Sequence, residues 1–184
     1  MPHIDLLELP YFQGISIESL VSLIDILEPV QFEAGVEVIT QGQPTPPPLY
    51  IVTRGSVGIR KTTPDGGQRT LAELTGPTLF GEIELFCQLC PVASVQTLSP
   101  VEAFVLNRST YNKLFRSQNQ AVMQFTFNVA RVACHRLAMA HEMLAQHVGD
   151  HDLAQLRHSV SAKMSEEQNL MTTTGAFRVP DVLT

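Results

Sequence analysis

Residues 79 to 97 read LFGEIELFCQLCPVASVQT, a short stretch that brings together two carboxylates and two of the chain's three cysteines. Glu82 follows Gly81 directly, and Glu84 stands two residues after it. Carboxylates in that place can accept hydrogen bonds from hydroxyl or N–H donors, and a glycine lets the backbone pass close to another group. Cys87 and Cys90 form a C-x-x-C pair, the spacing of a redox dithiol or of half a metal site. A structural zinc site needs a second pair and only Cys134 remains, so the plainer reading is two small, partly buried loop residues. Five of the six histidines, His135, His141, His147, His151 and His158, lie in the C-terminal third. His147 and His151 are four apart, but Gly149 between them breaks the helix face that would carry a metal. Asp150-His151-Asp152 has acid–base residue types on what reads as a solvated loop. No serine sits in a Gly-x-Ser-x-Gly turn. No histidine lies between His3 and His135, which removes the strand-borne ligands of a metal-dependent cupin. No catalytic residue and no metal site is assigned, and the expectation is a protein that is not an enzyme.

The elements around this stretch change character twice. In residues 1–29 an apolar stripe, Ile17, Leu20, Val21, Leu23, Ile24 and Leu27, predicts a helix. Ser16 stands at its N-cap, Glu18 and Ser19 lie in the first turn, and Glu28-Pro29 is the expected stop. In residues 30–108 apolar residues come in short runs rich in Val, Ile, Thr and Phe, with turn signals about every ten residues. That spacing predicts a small antiparallel barrel or sandwich. Leu49-Tyr50-Ile51-Val52, the turn at Arg54-Gly55 and Ser56-Val57-Gly58-Ile59-Arg60 read as a hairpin. Asp65-Gly66-Gly67 closes a second one before Arg69–Leu74, and Val101–Leu106 is the last strand. Residues 109–148 return to a helical period: a short helix over 109–115, then a long one from about Asn119 to His147, with Gly149 as its stop. Within it Val122, Phe125, Val129, Val132, Arg136, Met139 and Met143 are spaced 3, 4, 3, 4, 3, 4, a heptad seam with one charged intruder. The seam either pairs two copies or packs on the protein's own barrel. The helix is longer than a small barrel can cover, which favours pairing. Residues 149–184 are mixed, with Leu153, Leu156 and Val160 at helical spacing and a polar, Thr-rich end.

The 184 residues include only 16% charged residues, low for a free-standing monomer, which suggests extra buried surface such as a subunit interface. The net charge is −6 and no Lys/Arg cluster exists, so no nucleic-acid partner is expected. No stretch of about 20 apolar residues and no secretory signal is present, so no membrane partner is expected. Three cysteines, an odd count, fit a reducing cytoplasm.

Several segments together resemble the cyclic-nucleotide-binding domain family. Phe32-Glu33-Ala34-Gly35-Val36-Glu37-Val38-Ile39-Thr40-Gln41-Gly42 is similar to the paired-glycine opening strands of that family. Leu49–Val57 resembles its LYxIxxGxV segment, Phe80-Gly81-Glu82 the start of its phosphate-binding cassette, and Ala93-Ser94-Val95 the end. The resemblance covers residues from about 10 to 147. It implies a mainly β fold with α-helices: a double-stranded β-helix, or jelly roll, with N-terminal helices and a long C-terminal dimerisation helix. It implies a ligand pocket at Gly81, Glu82, Ile83, Glu84, Pro91, Val92, Ala93 and Ser94. In the family, the Glu at position 82 meets a ribose hydroxyl, the following helix offers N–H groups to the phosphate, and an Arg near the end pairs with it.

That Arg is missing. It falls at Pro91, or at Val92 with a one-residue shift, and no Arg or Lys lies between Arg69 and Arg108. Position 84, usually small in the family, carries a glutamate. Arg54 or Arg69 could reach in from another strand. Bacterial transcription-factor members place a helix-turn-helix domain after the long helix; the 37 residues after His147 show no such pattern. The expectation is a homodimeric regulatory or scaffold module without DNA-binding output, acting on an unidentified protein partner. No cofactor is expected. The alternative is a genuine cyclic-nucleotide sensor with a substitute cation.

Overall fold

The structure, a computed structural model, describes residues 9–147 except 88, together with 160, 161, 164 and 165. The signals at His3, Gly149, Asp150-His151-Asp152 and His158, and most of 149–184, lie outside the described residues. Two compact units are distinguished, Met1–Val132 and Ala133–Thr184.

A short 3-10 turn, Pro10–Phe12, precedes α1, Ile17–Ile24. Ser16 caps α1 as its residue type predicts: its Oγ accepts the Ser19 N–H at 3.3 Å. The apolar stripe is used only in part, since Leu20, Leu23 and Leu27 are buried whereas Ile17 and Val21 are exposed. The helix also ends at Ile24, before Glu28-Pro29. Those two residues open β1, Glu28–Phe32, where proline is tolerated because β1 is an edge strand.

Seven more strands follow: β2 Glu37–Ile39, β3 Leu49–Arg54, β4 Ser56–Thr62, β5 Gln68–Thr75, β6 Thr78–Phe80, β7 Ser94–Thr97 and β8 Val101–Leu106. A short helix α2, Glu82–Cys87, lies between β6 and β7. After β8 come α3, Arg108–Arg116, and α4, Gln120–His147. The strands form two four-stranded antiparallel sheets, ordered β1-β8-β3-β6 and β2-β7-β4-β5.

The hairpin expected across Arg54-Gly55 does not exist. β3 pairs with β6 and β8, β4 pairs with β5 and β7, and Gly55 carries the chain from one sheet to the other. Gly55 has φ +91°, and a Cβ on it would run into the Pro100 carbonyl oxygen. The corner therefore needs both the left-handed backbone and the missing side chain. Gly55→Ala is expected to cost about 3 kcal/mol or more. Thermal unfolding followed by circular dichroism reads this directly, and an unchanged midpoint would show that the corner relaxes without strain. The second hairpin forms as read, with β4 and β5 joined by a turn in which the Thr63 N–H donates to the Gly67 carbonyl at 2.8 Å.

Two apolar cores lie on the two faces of the first sheet. Tyr50, Val52, Phe80, Val101, Ala103 and Val105 point into the roll, where they meet Ile39, Val57 and Val95 of the second sheet. Leu49, Ile51, Leu79 and Leu106 alternate with them and point outward. They share an outer core with Phe12 and with Leu20 and Leu23 of α1, and with Val122, Phe125 and Val129 of α4. The Phe12 and Phe125 rings lie 5.4 Å apart. Asn128, buried on the same stretch of α4, donates to the carbonyls of Tyr11 and Gln13 at 3.1 and 2.7 Å.

The seam expected to pair two copies is thus split. Val122, Phe125 and Val129 are buried in the protein's own core, and Val132 packs against it. Arg136 is half-exposed, and Met139 and Met143 are exposed. The period of 3.5 was real, but its first half serves intramolecular packing, because the outer face of the sheet needs a cover.

Candidate functional site

The cassette is assembled between β6 and β7. Phe80 ends β6 with its side chain in the roll, and Gly81 turns the chain at φ +87°. A Cβ on Gly81 would lie 2.6 Å from the Pro48 carbonyl oxygen, so the glycine is required by the neighbouring backbone itself. Glu82 opens α2 and is half-buried, Ile83 is exposed, and Glu84 in the same turn is buried at 7% exposure. Two carboxylates in a helix's first turn suit its backbone dipole. Leu85 and Phe86 then anchor α2 on the outer core.

At the other end of the cassette Pro91 is buried, and its carbonyl accepts the Gly42 N–H at 2.8 Å. Val92 is exposed and Ala93 is buried. Ser94 Oγ accepts the Gln41 N–H at 2.9 Å. The Gln41 side-chain carbonyl in turn accepts the Thr62 N–H at 2.8 Å. The cassette end thus closes onto the Gln41-Gly42 turn through backbone and hydroxyl groups, with no cation in the arrangement.

The candidate substitutes lie elsewhere. Arg54 stands opposite Glu102, whose neighbours Val101 and Ala103 face the roll, so this pair is on the outer face. Arg69 stands opposite Lys61, and both are exposed. Arg60 stands opposite Ser94, next to the cassette end, but its neighbour Ile59 packs on the roll core. Alternation then points Arg60 away from the interior. Among the described residues, Glu84 is the one charged side chain that is buried.

The roll interior is instead aromatic and aliphatic. Tyr50 stacks on Phe80 with ring centroids 4.8 Å apart, and Phe32 meets Tyr50 edge-on at 6.1 Å. This cluster was missed in the sequence. The signal was strand parity, since Phe80 directly precedes Gly81 and shares a face with Tyr50 across the β3–β6 pair. Burial raises the Tyr50 hydroxyl above its ordinary pKa of 10.0. Tyr50 therefore holds its proton more tightly folded than unfolded, and the associated stability is complete below pH 10 and lost as pH rises through the folded value. Chemical denaturation from pH 8 to 11 is expected to show wild type weakening at the alkaline end more than Tyr50→Phe; equal slopes would remove Tyr50 as the cause.

Cys87 and Cys90 are both exposed and unbridged. Among the described residues, no three His, Cys, Asp or Glu side chains gather as a metal site would need. No helix among the described residues is long and apolar enough to cross a membrane.

A roll of eight strands, a glycine–glutamate entry into a short helix and a flanking long helix define a cyclic-nucleotide-binding type of domain. Sequence comparison agrees: residues 29–118 match the family profile described as "Cyclic nucleotide-binding domain". Residues 29–118 therefore form a domain of that family. A CRP-like cAMP-activated global transcriptional regulator of Mycobacterium tuberculosis is 28% identical over 134 residues, covering 73% of this chain and 58% of that protein. A cAMP-dependent protein kinase regulatory subunit of Dictyostelium discoideum is 34% identical over 97 residues, covering 51% of this chain and 29% of that protein. The chain thus spans less than two thirds of these relatives. Among solved structures, the Thermus thermophilus catabolite activator protein superposes with a TM-score of 0.65 at 28% identity, over 75% of this chain and 62% of that one.

Proposed function

We propose that the chain is a regulatory module whose nucleotide pocket no longer binds cyclic AMP or cyclic GMP in the family's usual way, and which works through a protein partner. One observation carries the reading. The positions where the family's phosphate-binding Arg would fall hold a buried proline closed onto Gly42 and an apolar valine, while a buried glutamate stands in α2. Losing an Arg–phosphate pair costs on the order of 2–5 kcal/mol, and a nearby carboxylate adds repulsion. The regulatory role is supported by the names of the relatives, a transcriptional regulator and a kinase regulatory subunit. Catalysis, a cofactor and a nucleic-acid partner form no part of the reading, and the compartment proposed is the cytoplasm. Self-association through α4 is part of it, supported by the apolar side chains that the helix leaves exposed.

Gly81 and Glu82, both in place, favour the alternative of a true nucleotide sensor. Calorimetric titration of the purified protein with cyclic AMP and cyclic GMP separates the two. No heat and no shift in melting temperature is the expected result. Saturable binding below about 100 μM, some 5.5 kcal/mol, would overturn it.

A further inference from the structure

Cys87 and Cys90 belong to neither apolar core. Both are exposed, so the role of a small apolar filler, which suits a partly buried cysteine, is not theirs. Their backbone, in contrast, is fixed on both sides. Phe86, one residue before Cys87, packs against the outer core, with its ring centroid 6.0 Å from that of Tyr111. Pro91, one residue after Cys90, is buried, and its carbonyl holds the Gly42 N–H at 2.8 Å. Two exposed thiols thus stand three positions apart between two anchors. A disulfide needs Cα atoms about 4.4–6.8 Å apart. Residues three apart in a turn meet that distance, whereas in a strand they lie about 10 Å apart. α2 ends at Cys87 and Cys90 belongs to no strand, so no ladder holds the pair open.

We propose that Cys87 and Cys90 are a redox-active dithiol, closed to an intramolecular disulfide by exchange with glutathione disulfide. One cysteine, as its thiolate, attacks a sulfur of glutathione disulfide. A mixed disulfide forms, and one glutathione leaves as a thiolate that takes up a proton. The second cysteine then loses its proton and attacks the sulfur of the first. Sγ joins Sγ, and the second glutathione leaves and is protonated in turn. Two electrons pass from the protein to the oxidant, which ends as two glutathione thiols. Closure outruns a second adduct because the same short loop holds the resolving thiol at high effective concentration. The site adds an input to the regulatory reading and holds whether or not the pocket takes a nucleotide. The closed ring ties the last residue of α2 to the residue before Pro91. It therefore joins the helix anchored on the outer core to the turn at Gly42, and restrains the cassette between them.

Cys134→Ser, a change at an exposed position, leaves the pair as the only thiols. This full-length variant is equilibrated with mixtures of reduced glutathione and glutathione disulfide, quenched in acid and weighed by intact mass spectrometry. A species two hydrogens lighter is expected to dominate while reduced glutathione is still in roughly tenfold excess, and dithiothreitol is expected to reverse it. Cys87→Ser and Cys90→Ser in the same background are each expected to stop at one glutathione adduct. Thiols that stay reduced, a doubly glutathionylated end product, or a reducible dimer in place of the closed ring would overturn the proposal. The oxidised form is expected to melt a few degrees higher than the reduced form. An oxidised form that melts no higher would overturn the restraint on the cassette.

Discussion

Val129→Glu unfolds the protein or lowers its melting temperature by many degrees; it does not yield folded monomers. Val129 has no exposed surface and sits in the core shared by α4, α1 and the outer face of the first sheet. A carboxylate there finds no cation, since every buried partner in that cluster is apolar or a tyrosine. An unpaired buried charge either stays ionised at a cost of several kcal/mol or takes up a proton and still leaves a polar group in a space shaped for isopropyl. We expect a loss of about 3–5 kcal/mol, a large share of the stability of an ordinary domain. Circular dichroism melts read it. Size-exclusion chromatography beside them distinguishes unfolding from a change of oligomeric state. A Val129→Glu protein with wild-type melting would mean that α4 does not pack on the roll as described.

The second large effect is a gain. Pro91→Arg combined with Glu84→Ala restores the family's pattern at the two positions where this chain departs from it. The carbonyl of residue 91, which holds the Gly42 N–H, belongs to the backbone and survives the change. The new guanidinium brings charge-assisted bonds to a phosphate, and Glu84→Ala removes the buried carboxylate from α2. Recovering even the lower end of the 2–5 kcal/mol range strengthens binding roughly 30-fold. Calorimetry with cyclic AMP is the measurement. A double variant that folds normally and still gives no heat would show that the cassette end is out of register, and Val92→Arg becomes the test of a one-residue shift.

What the sequence revealed and what it hid divide along the range of the interactions involved. The Ser16 cap, the turn at Asp65-Gly66-Gly67 and the helical period after residue 108 are local, and each formed where its residue types required. The false hairpin at Gly55 had equally good local signals. It failed because β3 finds its partners in β6 and β8, more than 20 and about 50 residues on, and strand pairing at that distance leaves no mark in a short window. The cassette was legible by resemblance, including its missing Arg, yet the reason Gly81 must be glycine is the Pro48 carbonyl and could not be read. The seam on α4 fails differently. Its period of 3.5 residues is genuine, and periodicity alone does not say whether the chain's own sheet or another copy will claim the stripe.

The first four residues of β3 have no surface of their own. Tyr50 and Val52 belong to the interior of the roll, Leu49 and Ile51 to the helical cover, and all four are buried. Neither layer can come away without baring one side of the same four residues to water. The roll and the helices packed over it should therefore melt as a single cooperative block, with one transition in a calorimetric scan and no surviving half-folded form.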